Sequence, residues 1–211
     1  MLSTSILTVV LAAHAADTTK PHMHQGSIPA YQGPPPMVAL TPAELARLAA
    51  GGVVKRQVQY ADGGRGVAVQ DIHASPGVVW DRILDFPAYP RMVDNVRECE
   101  VYTRSDNEIE VRFVIGALMM DIEYYIAHQV HIDEGWLTWT LDYSRASDLD
   151  DSVGFWRVEP VADRPGYTRL FYSVEVKPLG WVPGPIEDYI SDAGLTKATA
   201  WVKRESEAAV R

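Results

Sequence analysis

Apolar side chains recur at every second residue in successive short stretches of the chain between Ile109 and Lys177. Since neighbouring side chains of a strand point to opposite faces, each stretch predicts a strand with one buried face. Successive strands of this kind are typical of an antiparallel sheet that is covered on a single face. The positions expected on that buried face are Ile109, Val111, Phe113, Ile115, Ile122, Tyr124, Ile126, His128, Val130, Ile132, Leu137, Trp139, Leu141, Tyr143, Gly154, Trp156, Val158, Leu170, Tyr172, Val174 and Val176.

The segment before these strands predicts two helices and a hairpin. Thr41-Pro42-Ala43-Glu44 has the form of a capping box with proline at the first helical position. Strands are expected over residues 53–60 and 66–73, joined at Asp62-Gly63-Gly64, because glycine supplies the positive φ of a tight turn. A second helix is expected to begin at Ser75-Pro76.

The last segment of the chain predicts a long helix, over residues 186–209, that covers the buried face of the sheet. Its apolar stripe consists of Ile186, Tyr189, Ile190, Ala193, Ala198, Trp201 and Val202. Several of these side chains are small, so the helix is not expected to fill the space beneath it. Together these elements predict an α+β domain in which a curved antiparallel sheet wraps around a C-terminal helix and leaves a cavity between them.

Two local sequences, together with this order of elements, are similar to a known superfamily. Ala74-Ser75-Pro76-Gly77-Val78-Val79-Trp80-Asp81 precedes Asp85-Phe86-Pro87-Ala88-Tyr89-Pro90, and Gly154-Phe155-Trp156-Arg157-Val158-Glu159-Pro160 precedes Thr168-Arg169-Leu170. On these residues the chain, from Gly66 to Val202, resembles the START-like (SRPBCC, helix-grip) superfamily, in particular its coenzyme Q-binding protein and polyketide cyclase/dehydrase branch. The resemblance implies a helix-grip fold and a hydrophobic ligand such as a lipid, sterol, quinone or polyketide.

The buried sheet face and the helix stripe together define the expected binding site. Its residues are Phe113, Tyr124, Ile126, His128, Trp139, Leu141, Tyr143, Trp156, Tyr172, Val174, Ile186, Tyr189, Ile190 and Ala193. The expected function is binding or transfer of a hydrophobic small molecule or lipid, without a cofactor or a metal. The alternative is a cyclase or dehydratase in which His128 and a cavity tyrosine carry protons. The interpretation favoured for His128 is nevertheless a core histidine that is hydrogen-bonded to a tyrosine or to the main chain.

Composition and charge exclude several other classes. The 211 residues fit one domain with an appendage, and the net charge of -9 leaves no basic stripe for a nucleic acid. Cys99 is the single cysteine, so the chain forms no intramolecular disulfide and no zinc site built on several thiolates. The sequence contains no Gly-rich phosphate loop, nucleophile elbow or zincin helix, which weakens the case for an enzyme.

The N-terminus predicts an exported protein. An apolar run over residues 6–13 and the small-x-small sequence Ala13-His14-Ala15 favour a signal peptide over residues 1–16. The expected location is therefore outside the cell or in a periplasm. A mitochondrial presequence fits less well, because such segments are rich in arginine and the first arginine is Arg47.

Residues 17–40, rich in proline and glycine, predict a linker or mobile arm that precedes a ligand-binding domain over residues 41–211. His22-Met23-His24 in this arm has the ligand types of a soft-metal site but is expected to be incidental.

Three predictions concern the surface. Asp148, Asp150 and Asp151 are expected in a solvated loop, because the segment lacks the glycine and the terminal glutamate of a calcium-binding loop. Trp136 and Trp181 are expected to be exposed, which raises a third hypothesis of a transient contact with a membrane or a protein.

Overall fold

The computed structural model describes residues 16–60, 63–117, 120–179 and 192–211. The helices in this part of the chain are α1 (Pro42–Ala49), α2 (Pro76–Leu84), α3 (Tyr89–Met92) and the C-terminal helix (Asp192–Ala209). The strands are β1 (Val53–Tyr60), β2 (Gly63–Ile72), β3 (Val96–Arg104), β4 (Glu108–Ala117), β5 (Met120–His131), β6 (Trp136–Leu141), β7 (Leu149–Pro160) and β8 (Thr168–Pro178). The predicted signal sequence and the start of the predicted C-terminal helix lie outside the described residues.

The strands form one antiparallel sheet in the order β1-β2-β8-β7-β6-β5-β4-β3. The C-terminal helix packs on one face of this sheet, which we call the inner face. Its approach to β2 is close, because a Cβ atom placed on Gly66 would collide with the side chain of Leu195. The predicted α+β architecture, an antiparallel sheet with a C-terminal helix packed on it, is confirmed.

The first hairpin differs in one detail from the sequence-based prediction. Tyr60 pairs directly with Gly63, so Gly63 and Gly64 belong to β2 rather than to the turn. Neither glycine has a positive φ. A Cβ atom on Gly63 would instead collide with the carbonyl oxygen of Val176 in β8. Close packing of two backbones, rather than turn geometry, therefore requires glycine at this position.

The main hydrophobic core lies between the inner face, α2 and the C-terminal helix. The helices contribute buried residues at helical spacing, and the strands contribute alternate residues. The prediction is wrong for Ile132, which lies beyond the end of β5 and is 40% exposed. Representative members, each with 5% or less of its surface exposed, are Val79, Trp80 and Ile83 of α2, Ala68, Leu137 and Leu170 of the sheet, and Leu195, Trp201 and Val202 of the C-terminal helix.

The outer face of the sheet is also covered along part of its width, contrary to the prediction of a single covered face. A second core joins Leu48 of α1 to outward-facing residues of β1, β2, β7 and β8, namely Val54, Val69, Phe155 and Phe171. Tyr31, Val38 and Leu40 of the proline-rich segment pack against this core. Residues 17–40, interpreted from sequence as a linker or mobile arm, thus lie on the domain as a structured strap.

A buried carboxylate fastens this strap to the sheet. Asp151 is fully buried in β7, and its Oδ2 accepts the backbone N–H groups of Ser27 at 2.5 Å and Ile28 at 2.7 Å. Its Oδ1 accepts the hydroxyl of Tyr143 at 2.7 Å. The prediction of a solvated loop is therefore wrong for Asp151. The strap supplies donors that the local sequence around Asp151 does not reveal.

Trp136, predicted to be exposed, is 4% exposed and stacks on His131 with 3.9 Å between the ring centroids. Trp181 lies outside the described residues, so the hypothesis of a membrane contact stays a prediction. Within the part of the chain that the structure covers, no helix is long and apolar enough to cross a bilayer.

Candidate functional site

A cavity of about 160 Å³ lies under the C-terminal helix, on the inner face of the sheet. Its walls come from β3 to β8, from the segment around α2 and α3, and from the C-terminal helix. Eight of the residues predicted for the binding site line it, namely Phe113, Tyr124, Ile126, His128, Trp139, Trp156, Tyr172 and Val174. The structure therefore brings these side chains together around one space, and their role in ligand binding stays a prediction.

Two predicted site residues do not reach the cavity. Leu141, at the end of β6, is 1% exposed and belongs to the main core. Tyr143 lies beyond that strand, and its hydroxyl donates to Asp151 on the strap side. The alternating pattern ends with β6, so it does not determine which way the side chain of Tyr143 points. Ile186, Tyr189 and Ile190 lie outside the described residues, as does the side chain of Ala193.

Sequence analysis missed the wall that the segment around α2 and α3 supplies. Ile83, Phe86 and Tyr89 line the cavity, although none of them was among the predicted binding-site residues. The Tyr89 hydroxyl donates to the carbonyl oxygen of Ile83 at 2.6 Å, so this polar group is satisfied within the wall. Burial raises the pKa of Tyr89 well above its ordinary value, so the phenol stays protonated.

Aromatic rings make up much of the wall and contact one another. Phe113 and Tyr124 are stacked with 5.3 Å between their centroids. Trp139 stacks on Tyr172 at 5.8 Å, and Trp156 lies 4.5 Å from the same tyrosine ring. Rings packed in this way have few rotamers, so they present a fixed apolar surface.

A glycine sets the position of Trp139. Gly154 in β7 pairs with Trp139 in β6, and a Cβ atom on Gly154 would overlap the six-membered ring of the indole. The indole therefore lies across the bare backbone of β7, where its Nε1–H donates to Ser152 Oγ at 3.3 Å. The small residue at position 154 is thus part of the shape of the cavity wall.

His128 is the one histidine of the cavity wall in the described part of the chain. Its side chain is 6% exposed, and its Nδ1 lies 2.9 Å from the carbonyl oxygen of Ile109. A carbonyl only accepts, so Nδ1 carries the proton of a neutral ring. Burial lowers the pKa of His128 to about 4, and the bond to Ile109 opposes this shift without cancelling it. The imidazole is therefore uncharged at neutral pH.

The sequence matches the family described as polyketide cyclase / dehydrase and lipid transport over residues 72–196, which is more than half of the chain. The chain belongs to this family. The resemblance to the START-like superfamily and its polyketide cyclase branch is confirmed. A comparison with curated protein sequences finds no significant match.

Solved structures with the same fold as this member of the polyketide cyclase and lipid transport family share little sequence with it. An aromatase/cyclase from a Streptomyces species has a TM-score of 0.59 at 12% identity, and the match covers 75% of this chain and 97% of that one. A STAR-related lipid transfer protein fragment from Xanthomonas axonopodis has a TM-score of 0.59 at 15% identity, with 73% and 92% covered. A START superfamily protein from Mycobacterium smegmatis has a TM-score of 0.54 at 16% identity, with 74% and 98% covered.

None of the residues that the structure describes on the cavity wall carries a formal charge. The polar side-chain atoms of this wall belong to His128, Ser152, the tryptophans and the tyrosines. Cys99 packs against the same core, and burial raises the pKa of its thiol to about 12, so it is not a thiolate. An uncharged wall of this kind suits an apolar molecule, because a buried ion would have no partner there.

Proposed function

We propose that the protein binds or transfers a hydrophobic small molecule or lipid in the cavity under its C-terminal helix. The observation that carries the proposal is the cavity itself, about 160 Å³ in volume and walled mostly by aromatic and aliphatic side chains. Natural interiors are close-packed, and the larger apolar spaces they contain are binding sites in most proteins. An engineered apolar cavity of about 150 Å³ accepts benzene, so this space is large enough for a ring of that size.

The family supports the same proposal. Its description includes lipid transport, and the Xanthomonas neighbour is named as a lipid transfer protein. The transfer of apolar molecules needs a site that releases its ligand unchanged, and uncharged walls of aromatic and aliphatic residues serve that purpose.

A cyclase or dehydratase activity is the second candidate, because His128 lies on the cavity wall and the Streptomyces neighbour is named as an aromatase/cyclase. A general base works best when its pKa is near the ambient pH. Burial lowers the pKa of His128 to about 4, which makes its neutral ring a weak base. This value favours binding over proton abstraction.

The test is to fill the cavity from the helix side. Ala198 lines the cavity, whereas Ala208 on the same helix is exposed. We expect the purified protein to yield an apolar molecule on organic extraction with mass spectrometry, and to bind ethylbenzene in an NMR titration. Ala198→Phe should weaken ethylbenzene binding more than about tenfold, because the added ring occupies the space that the ligand needs.

Ala208→Phe is the matched control and should leave binding unchanged, while circular dichroism checks that both variants fold. If the wild-type protein yields no apolar molecule and does not bind ethylbenzene, the proposed function is wrong. Equal binding by both variants would place the ligand somewhere other than this cavity.

A further inference from the structure

The hydrogen bond to Ile109 determines what the rest of the His128 ring can do. Since Nδ1 carries the ring proton and donates it to that carbonyl, Nε2 holds a lone pair and acts only as an acceptor. No residue in the described part of the chain donates to Nε2. The wall thus contains one strong acceptor whose orientation is fixed by the main chain of β4.

The surroundings of this acceptor are apolar. The Phe86 ring centroid lies 5.0 Å from that of His128, and the Trp139 centroid lies 6.4 Å away. An acceptor on the cavity wall that no protein donor reaches lacks a hydrogen bond that water or a ligand has to supply. A water molecule needs between two and four polar partners to stay in such a place; the Phe86 ring offers none, and the Trp139 N–H already donates to Ser152. A donor carried by the ligand is the natural partner.

The lack of charge around the cavity narrows the class of ligand further. The described lining contains no lysine or arginine, so a carboxylate or a phosphate would be buried without a counter-ion. It contains no aspartate or glutamate either, so an ammonium group would be equally unpaired. The polar part of the ligand is therefore neutral.

We propose that the ligand is a neutral hydroxyl compound, a phenol or an alcohol on an apolar ring, whose O–H donates to Nε2 of His128. This inference depends on the proposed function, because it requires that the cavity binds an apolar molecule at all. His128 then selects among apolar molecules by the presence of one donor. The volume of about 160 Å³ fits a single substituted ring, which defines the size of the probes.

The experiment compares four probes that share one apolar body: 4-ethylphenol, 4-ethylanisole, ethylbenzene and 4-ethylbenzoate. The anisole keeps the oxygen of the phenol but lacks its donor. We expect the wild-type protein to bind 4-ethylphenol about fivefold to tenfold more tightly than 4-ethylanisole, the effect of one net hydrogen bond. The anionic 4-ethylbenzoate should bind more weakly than ethylbenzene at neutral pH.

His128→Asn tests the role of Nε2 separately from that of Nδ1. The asparagine amide can still donate to the Ile109 carbonyl in place of Nδ1–H, but it has no acceptor where Nε2 was. The ratio of the dissociation constants for 4-ethylphenol and 4-ethylanisole should therefore fall to about one. Ethylbenzene, which has no donor, reports separately how the smaller side chain changes the cavity. His131→Asn is the control, because His131 lies three residues along β5 and stacks on Trp136 away from the cavity. It should keep the wild-type preference.

The outcomes distinguish the two proposals. If none of the probes binds, both the proposed function and this inference fail. If 4-ethylphenol and 4-ethylanisole bind the wild-type protein equally, or if the preference survives in His128→Asn, cavity binding stands and the inference about the hydroxyl is wrong.

Discussion

Single residues of the cavity wall take their chemistry from the backbone beside them. His128 is neutral and directional because the Ile109 carbonyl holds its Nδ1–H. In a solvent-exposed position, the same imidazole could act as a general base or, when protonated, bind a charged ligand. Burial determines which of these roles is available, and burial at a given position follows from the fold rather than from the identity of the residue.

The buried His128 should make the stability of the protein depend on pH. Its pKa is about 4 in the folded state, against about 6.5 for an unfolded chain, so the unfolded state binds the proton first as the pH falls. The contribution is therefore fully present above about pH 6.5 and is lost as the pH falls toward 4. Between about pH 7.5 and pH 5, the free energy of unfolding should fall by about 2 kcal/mol through this group.

Urea unfolding at the two pH values measures this loss, and His128→Asn should reduce it by about 2 kcal/mol. His131→Asn provides the comparison, because it removes a histidine from the same strand and leaves the buried ring of His128 in place. A wild-type pH dependence that His128→Asn leaves unchanged would mean that His128 titrates normally in the folded protein.

At the scale of strands and helices, the sequence periodicity predicted which face of a strand each residue occupies. It did not predict where a strand ends or which contacts a neighbouring strand makes. Alternation placed Phe113, Tyr124 and Trp156 on the cavity wall correctly. It could not show that β6 ends at Leu141, which turns Tyr143 toward Asp151. Nor could it show that Gly63 is required by the backbone of β8, since that contact joins residues more than a hundred positions apart.

Gly154→Ala tests the contact between β6 and β7. The new methyl group would overlap the Trp139 indole and the carbonyl oxygen of Ser173. We expect the free energy of unfolding to fall by about 1–3 kcal/mol, as for other overpacked cores, and 4-ethylphenol to bind more weakly because Trp139 moves. Urea unfolding followed by tryptophan fluorescence, with an NMR titration, measures both.

Gly77→Ala in α2 is the control for Gly154→Ala. A Cβ atom on Gly77 meets nothing within 4 Å, and a helical alanine is favoured over glycine by up to about 1 kcal/mol. This variant should be as stable as the wild type or more so. Equal stability and equal binding in Gly154→Ala would show that Trp139 has another position open to it.

In the molecule as a whole, the two faces of the sheet differ in what they contact. The inner face holds the cavity, and the outer face of β1, β2, β7 and β8 holds the second core, α1 and the strap. The composition of residues 17–40 indicated a linker, because so few of them are apolar. The structured strap arises from a few anchors, Tyr31, Val38 and the donors to Asp151, which only the three-dimensional arrangement brings together.

Asp151→Asn should therefore separate stability from binding. The amide presents an NH₂ group where Oδ1 or Oδ2 accepts from Tyr143 or from the backbone of Ser27 and Ile28. Losing hydrogen bonds to a buried carboxylate costs about 1.5–3 kcal/mol, or about 3–12 °C in Tm for a chain of this size. Hydrogen exchange at the Ser27 and Ile28 amides should accelerate, because their acceptor becomes at best a neutral amide oxygen, which binds an N–H more weakly than a carboxylate does.

The dissociation constant for 4-ethylphenol should stay within about twofold of the wild-type value in Asp151→Asn, because Asp151 faces the strap and the ligand lies on the opposite face. Asp150→Asn is the matched control. Its side chain contacts His24 at 3.1 Å near the surface, and partly exposed pairs of this kind contribute at most about 1 kcal/mol. If Asp151→Asn weakened 4-ethylphenol binding as much as it lowered stability, the two faces would be coupled through β7, and Ser152, the next residue, would be the point at which the strap acts on the cavity.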